Sequence, residues 1–142
     1  MRYFTLILIF LLPIFLQAQS EEFLNGVDDL LEHFVTDGYT VLDHGGNFTN
    51  QESVIFPNYS VFEAGEKYSL IVLVEDCYSC PLVSRFVYED GSIANIKMKI
   101  SRNSGLTFAQ YHFIEPKTIK GEFEVQVDTR SKYYTYMILI KK

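Results

Sequence analysis

Tyr68-Ser69-Leu70-Ile71-Val72-Leu73-Val74 is the stretch that decides the fold. It has the length of a strand, and in a strand successive side chains point to opposite faces. Ser69 apart, both faces of this run are apolar, so both must be covered. Met137-Ile138-Leu139-Ile140 repeats the pattern near the C-terminus. Other runs read differently. In Glu122–Asp128, Phe123, Val125 and Val127 alternate with Glu122, Glu124, Gln126 and Asp128. In Ile93–Ile100, Ile96, Met98 and Ile100 alternate with Asn95, Lys97 and Lys99. Those two segments predict strands with one wet face. A strand buried on both sides beside strands buried on one side calls for a second layer of sheet and an additional cover.

The cover is supplied by residues 21–37. Phe23, Val27, Leu30, Leu31 and Phe34 recur at helical spacing and make a single apolar stripe. Ser20 is placed to cap the start, Glu21 and Glu22 suit the positive end of a helix, and Gly38 suits a left-handed residue just past its end. A helix this short is marginal alone, so its stripe must dock. The expectation is a helix lying on the outside of one sheet.

Outward from these segments, strand patterns continue at Leu82–Tyr88, Leu106–Ile114 and Tyr133–Ile140, with shorter candidates at Tyr39–Leu42, Glu52–Phe56 and Tyr59–Phe62. Turn signals separate them: Pro57-Asn58, Ala64-Gly65, Asp90-Gly91, Asn103-Ser104-Gly105 and Pro116 to Gly121. Asp90-Gly91 between two strand runs is the best hairpin signal. Many short strands at this spacing predict an all-β sandwich or barrel.

Ahead of the helix, Met1-Arg2-Tyr3 carries one positive side chain, Phe4–Leu16 is apolar except for Thr5 and Pro13, and Gln17-Ala18-Gln19-Ser20 turns polar. This is the layout of a secretory signal peptide, with cleavage expected after Ala18. The apolar run is short for a membrane span, no cysteine follows it for lipid attachment, and no later stretch is long and apolar enough to span. The expected organisation is a signal peptide over 1–18, the helix over 19–38 and the sandwich over 39–142. The mature protein is expected to have no membrane span and to be exported to the periplasm or the extracellular space.

The chain has 142 residues, fitting one domain, with 12 Phe and 10 Tyr, which excludes an intrinsically disordered chain. Its net charge of −6 argues against nucleic acid as a partner. The charge is unevenly spread: residues 19–90 carry 14 acidic and 2 basic side chains, residues 91–142 carry 4 and 9. Either oppositely charged strands lie side by side and cancel, or an acidic face awaits a cation or basic partner.

Three short segments look like those of the bacterial pre-peptidase C-terminal domains. Phe62-Glu63-Ala64-Gly65-Glu66-Lys67-Tyr68 resembles the family's strand start, with an apolar residue, Ala-Gly and Tyr. Arg85-Phe86-Val87-Tyr88-Glu89-Asp90-Gly91 is similar to its strand ending in an Asp/Gly turn. Phe113-Ile114-Glu115-Pro116 followed by Gly121-Glu122-Phe123-Glu124-Val125-Gln126-Val127 resembles its late strand pair. The resemblance covers residues 48–142. It implies a secreted, jelly-roll-like antiparallel β-sandwich, here of about eight to nine strands, without catalytic residues. Members are usually appended to secreted enzymes, and some bind matrix proteins, polysaccharide or calcium. The chain departs from the pattern in reading as free of an enzyme domain, in having Phe123 where Tyr is usual, and in its Cys-x-x-Cys insertion and leading helix. Fold and class alone are carried over.

Chemistry-bearing residues are sparse. Cys77-Tyr78-Ser79-Cys80-Pro81 is the most specific local feature. Two cysteines are too few for a four-cysteine zinc site. Pro81 stands where a c-type haem motif needs His, and Glu75 and Asp76 would raise a thiol's pKa. In an oxidising compartment the expected outcome is a disulfide between Cys77 and Cys80, with free thiols, redox use and metal binding as alternatives. His33, His44 and His112 show no metal-ligand spacing, and His44-Gly45-Gly46 reads as a turn. The pairs Glu75-Asp76 and Glu89-Asp90 flank opposite ends of Leu82–Tyr88, a poor arrangement for a glycosidase dyad. Each pair is a candidate contributor to a calcium site. Tyr133, Tyr134 and Tyr136 form either a binding platform or part of the core and rim. No Gly-x-Ser-x-Gly or other nucleophile motif is present. The function expected from the sequence is a secreted, non-catalytic binding or envelope-associated module with no resident cofactor, calcium aside, whose partner is a protein or polysaccharide. The alternative is a thiol–disulfide redox enzyme using Cys77 and Cys80.

Overall fold

The computed structural model describes residues 20–55, 57–103 and 105–142. The expected export signal, residues 1–18, lies outside the described residues. One helix, α1 (Glu21–Thr36), precedes nine strands: β1 (Thr40–Thr49), β2 (Val61–Phe62), β3 (Lys67–Val74), β4 (Leu82–Tyr88), β5 (Ile93–Asn95), β6 (Lys99–Asn103), β7 (Leu106–Ile114), β8 (Ile119–Val127) and β9 (Tyr133–Lys141). They form a five-stranded sheet in the order β1-β9-β3-β7-β6 and a four-stranded sheet in the order β2-β8-β4-β5. The pairings between them are antiparallel. Early and late strands partner each other in nested fashion, β1 with β9, β2 with β8, β3 with β7 and β4 with β5. This is jelly-roll connectivity, a long hairpin wrapped into two facing sheets.

The inner core is aromatic. Phe62, fully buried, meets the rings of Tyr59, Tyr68, Phe86, Phe113 and Phe123 at centroid distances between 5.2 and 5.7 Å. Edge-to-face pairs of this kind add to the area they bury. The two-residue strand β2 thus exists chiefly to deliver one ring to the centre. Leu70, Val72 and Val74 point into this core from β3, while Ile71 and Leu73 point the other way.

On that outer face sits α1. Val27 is buried against Ile71, Leu73, Ile138 and Ile140, with Phe23, Leu30, Leu31 and Phe34 packed around it. The stripe read from the sequence is the face that docks. Ser20 caps the start by accepting the Phe23 N–H at 3.1 Å, and is itself held by Glu75, which accepts the Ser20 N–H at 2.9 Å. At the other end Gly38 turns left-handed at φ +83°. The N–H groups of Gly38 and Tyr39 then reach back to the carbonyls of Val35 and Phe34. This pair of hydrogen bonds is a Schellman stop, and the Phe34 and Tyr39 rings close it at 5.8 Å.

Several boundaries differ from the sequence reading. The run Ile93–Ile100 is not one strand. β5 ends at Asn95 in the four-stranded sheet and β6 starts at Lys99 in the five-stranded one. Residues 96–98 cross between sheets with Ile96 and Met98 packed on the core. Alternation persists through such a crossing because the inward side chains stay inward, so periodicity alone does not reveal it. Glu52–Phe56 forms no strand among its described residues, only the isolated bridges Asn50–Ser53 and Ile55–Val125; Phe56 lies outside them. Tyr59–Phe62 shortens to β2.

His44-Gly45-Gly46, expected as a turn, lies inside β1. A Cβ on Gly46 would come within 2.6 Å of the Tyr134 hydroxyl and 2.7 Å of the Tyr136 ring. Glycine is needed there to seat cross-strand rings, not to bend the chain. β1 is an edge strand. Its His44 and Phe48 N–H groups donate to the side chains of their preceding residues, Asp43 at 2.9 Å and Asn47 at 2.8 Å.

Candidate functional site

Cys77 and Cys80 are paired, with their Cα atoms 5.7 Å apart. Both are buried, at 1% and 6% exposure, while Tyr78 between them is 74% exposed. Thr107 Oγ1 donates to the Cys77 carbonyl at 2.7 Å and ties the loop to β7. The sulfurs therefore face the core, and the tip of the loop faces solvent.

The four candidate calcium acids do not converge. Glu75 accepts Ser20 at the start of α1. Glu89 pairs with Lys120 at 3.9 Å. Asp90 accepts both the Ser92 N–H at 2.9 Å and the Ser92 hydroxyl at 2.6 Å, and these bonds hold its carboxyl below the ordinary aspartate value. Asp76 occupies a left-handed turn position at φ 54°. Among the described residues no group of three or more His, Cys, Asp or Glu side chains is placed to hold a metal ion.

Each histidine has a separate partner. His33 pairs with Asp37 at 3.4 Å on the exposed side of α1. His44 Nδ1 lies 2.7 Å from the Tyr136 hydroxyl. His112 Nδ1 lies 2.6 Å from Ser69 Oγ. Tyr134 and Tyr136 lie beneath the helix and around β1, with Phe23 and Phe48 against Tyr134, and so serve as core and rim, not as a platform. Burial raises the Tyr136 phenol above its ordinary value, with Tyr134, Asp28 and Asp43 adding to the effect.

The charge halves partly cancel. Lys120–Glu89, Lys141–Glu63 and Lys141–Glu66 each set a base of the basic part against an acid of the acidic part, while Arg85–Glu124 pairs the minority charges of the two. None of the ion pairs among the described residues involves Glu21, Glu22, Asp28, Asp29 or Glu32, all exposed on α1.

Two of the concave features lie on the outer face of the five-stranded sheet, where α1 covers β9 and β3 but leaves β7 partly open. One cavity, of about 480 Å³, runs between the first half of α1 and β7. Its floor is Phe23, Val27, Leu73, Leu106 and Phe108, and its rim carries Glu22, Glu75 and Asp76. A second, of about 460 Å³, opens past the end of the helix and is lined by Tyr39, Lys67, Ser69, His112, Ile114 and Lys142 among others. The two share no residue, and their rims have opposite sign. Neither was assembled by sequence reading, because the strand register that brings Ser69 opposite His112 joins residues 43 positions apart. The one available signal was Ser69, a hydroxyl interrupting an otherwise apolar run.

No family model matches the chain, and no curated protein matches it. The likeness to the pre-peptidase C-terminal domains rests on the residues quoted for it.

Proposed function

We propose that the protein is an exported, non-catalytic β-sandwich that acts by binding, and that its binding surface is the acid-rimmed cavity between α1 and β7. The observation that carries this is a cavity with an apolar floor and three carboxylates at its rim, one of them Glu22 of α1, beside four more exposed acids of the same helix that have no ion-pair partner among the described residues. Apolar area supplies affinity and unpaired charge supplies orientation and on-rate. The partner that fits is a protein segment pairing an apolar side chain with Lys or Arg.

Catalysis has less support. Ser69 and His112 resemble two members of a hydrolase triad, but no carboxylate bonds His112 among the described residues. Ser69 sits mid-strand, where the flanking backbone groups are engaged in ladders with β7 and β9, which disfavours an oxyanion hole. The competing redox reading needs an accessible sulfur for thiolate attack, and both sulfurs are buried.

Selection of a random peptide display library on the mature protein, with a glycan array in parallel, tests the proposal. Enriched peptides should combine Lys or Arg with a large apolar residue, weaken in high salt, and lose about tenfold or more in affinity on Phe108→Glu. Binding of glycans alone, or peptide affinity unchanged in Phe108→Glu, would overturn it.

A further inference from the structure

We infer that the cavity past the end of α1 is a binding site for a carboxylate carried on an apolar or ring-shaped body. This goes beyond the acid-rimmed cavity, shares no lining residue with it, and stands or falls separately.

The outer face of β3 and β7 is apolar where the helix covers it. Beyond Gly38 the helix stops, and the same face presents Lys67, Ser69 and His112. Ser69 is 9% exposed and its hydroxyl holds His112 Nδ1 at 2.6 Å, so the imidazole is fixed across the two strands. When the serine donates to Nδ1, the ring carries its hydrogen on Nε2. When the ring is protonated, Nδ1 donates to the serine, Nε2 still carries a hydrogen, and the serine hydrogen is released. In both of these states Nε2, the atom away from Ser69, carries an N–H donor; in the other neutral tautomer, with Nδ1–H donating to Ser69 Oγ, it is an acceptor, so binding an anion selects the first two.

Two ammonium groups join it. Lys142 lies over the Tyr39 ring at 4.9 Å, and its backbone N–H is tied to the Lys67 carbonyl at 3.0 Å. Neither Lys67 nor Lys142 takes part in an ion pair among the described residues, whereas Arg85, Lys120 and Lys141 all do. No Asp or Glu lines this cavity, in a protein of net charge −6. An imidazole that can present Nε2–H and two ammonium groups outside the ion pairs favour an anion. The Tyr39 and Ile114 walls offer apolar contact on one side, and a volume of about 460 Å³ is that of a small-ligand site. A carboxylate on an apolar or ring-shaped body meets both requirements; a fully hydrated phosphate gains nothing from the apolar walls.

Ring signals of His112 in the intact mature protein, followed by NMR, provide the test. Probes are N-acetyl-phenylalanine, its C-terminal amide, glucuronate and inorganic phosphate. Saturable shifts with N-acetyl-phenylalanine and none with the amide identify a peptide C-terminus as the source. Shifts with glucuronate alone identify an acidic sugar. Either supports the site, provided that Lys67→Gln and Lys142→Gln, whose folding is checked by their backbone spectra, each weaken binding about tenfold. Phosphate binding as tightly as the carboxylates, no shift with any probe, or affinity unchanged in both lysine variants would overturn it.

Discussion

Two hydrophobic layers share strand β3, and they are built to different standards. Between the sheets, Phe62, Leu70, Val72, Val125 and Leu139 are sealed from water by strands on both sides. Outside, Ile71, Ile138 and Ile140 are equally buried, but of the helix residues that cover them only Val27 is buried, and Phe23, Leu30, Leu31 and Phe34 are half-buried. The inner layer is closed by connectivity, because nested strand pairs wrap it. The outer layer is closed by one helix narrower than the sheet, which leaves a gap on its β7 side and another past its end. The difference teaches where to look for function: both cavities fall where the second layer runs out.

The most disruptive way to break this comparison is to remove the cover. Deleting residues 20–38 uncovers Ile71, Leu73, Ile138 and Ile140, each worth about 1.5–3 kcal/mol of burial, and leaves an aggregation-prone patch. Loss of solubility in a sedimentation assay is expected; a truncated protein as soluble and heat-stable as the intact one would show that the outer layer is dispensable. Phe62→Ala attacks the inner layer alone. It should cost about 3–5 kcal/mol in a denaturant titration while leaving α1 intact in the residual folded fraction.

Smaller effects sharpen the boundary between the layers. Closing the four-residue loop from Cys77 to Cys80 contributes about 2 kcal/mol by chain entropy, so a Cys77→Ala, Cys80→Ala double variant should fold with a lowered midpoint. Mass spectrometry of alkylated, unreduced protein should find no free thiol in the parent. Ser20→Ala removes the helix cap and should cost about 1 kcal/mol. It should loosen the start of α1 by hydrogen exchange and leave the inner strands unchanged. Least of all, Ser92→Ala should move the Asp90 titration up towards the ordinary aspartate value by NMR. Since the folded value is depressed, the contribution of these bonds is present above the unfolded pKa and disappears as pH falls through the folded one.

Much of this was legible in the sequence. The stripe Phe23, Val27, Leu30, Leu31, Phe34 marked α1 to within a residue, and Leu82–Tyr88 and Leu106–Ile114 match β4 and β7. These segments are governed by local periodicity and caps. What resisted reading depends on partners far along the chain. His44-Gly45-Gly46 looks like a turn until Tyr134 and Tyr136 are laid across Gly46. Ile96 and Met98 keep their alternation while changing sheets. The Ser69–His112 contact follows from the register of β3 against β7, which no local pattern encodes. The acidic pairs were visible, but their partners, Ser20, Lys120 and Ser92, decided what they do.

The edge strand β1 has a consequence for how copies of this protein meet one another. An open edge of ten residues is long enough to recruit an identical strand and seed a growing fibre. Along it the amides of His44 and Phe48 are already satisfied by Asp43 and Asn47, and the other oxygen of Asp43 accepts the Asn58 N–H from the loop before β2. An incoming chain would find those donors occupied and would have to displace a carboxylate to reach the first of them. Two short side chains, each bonded to its own neighbour, thus make the edge a poor template for polymerisation.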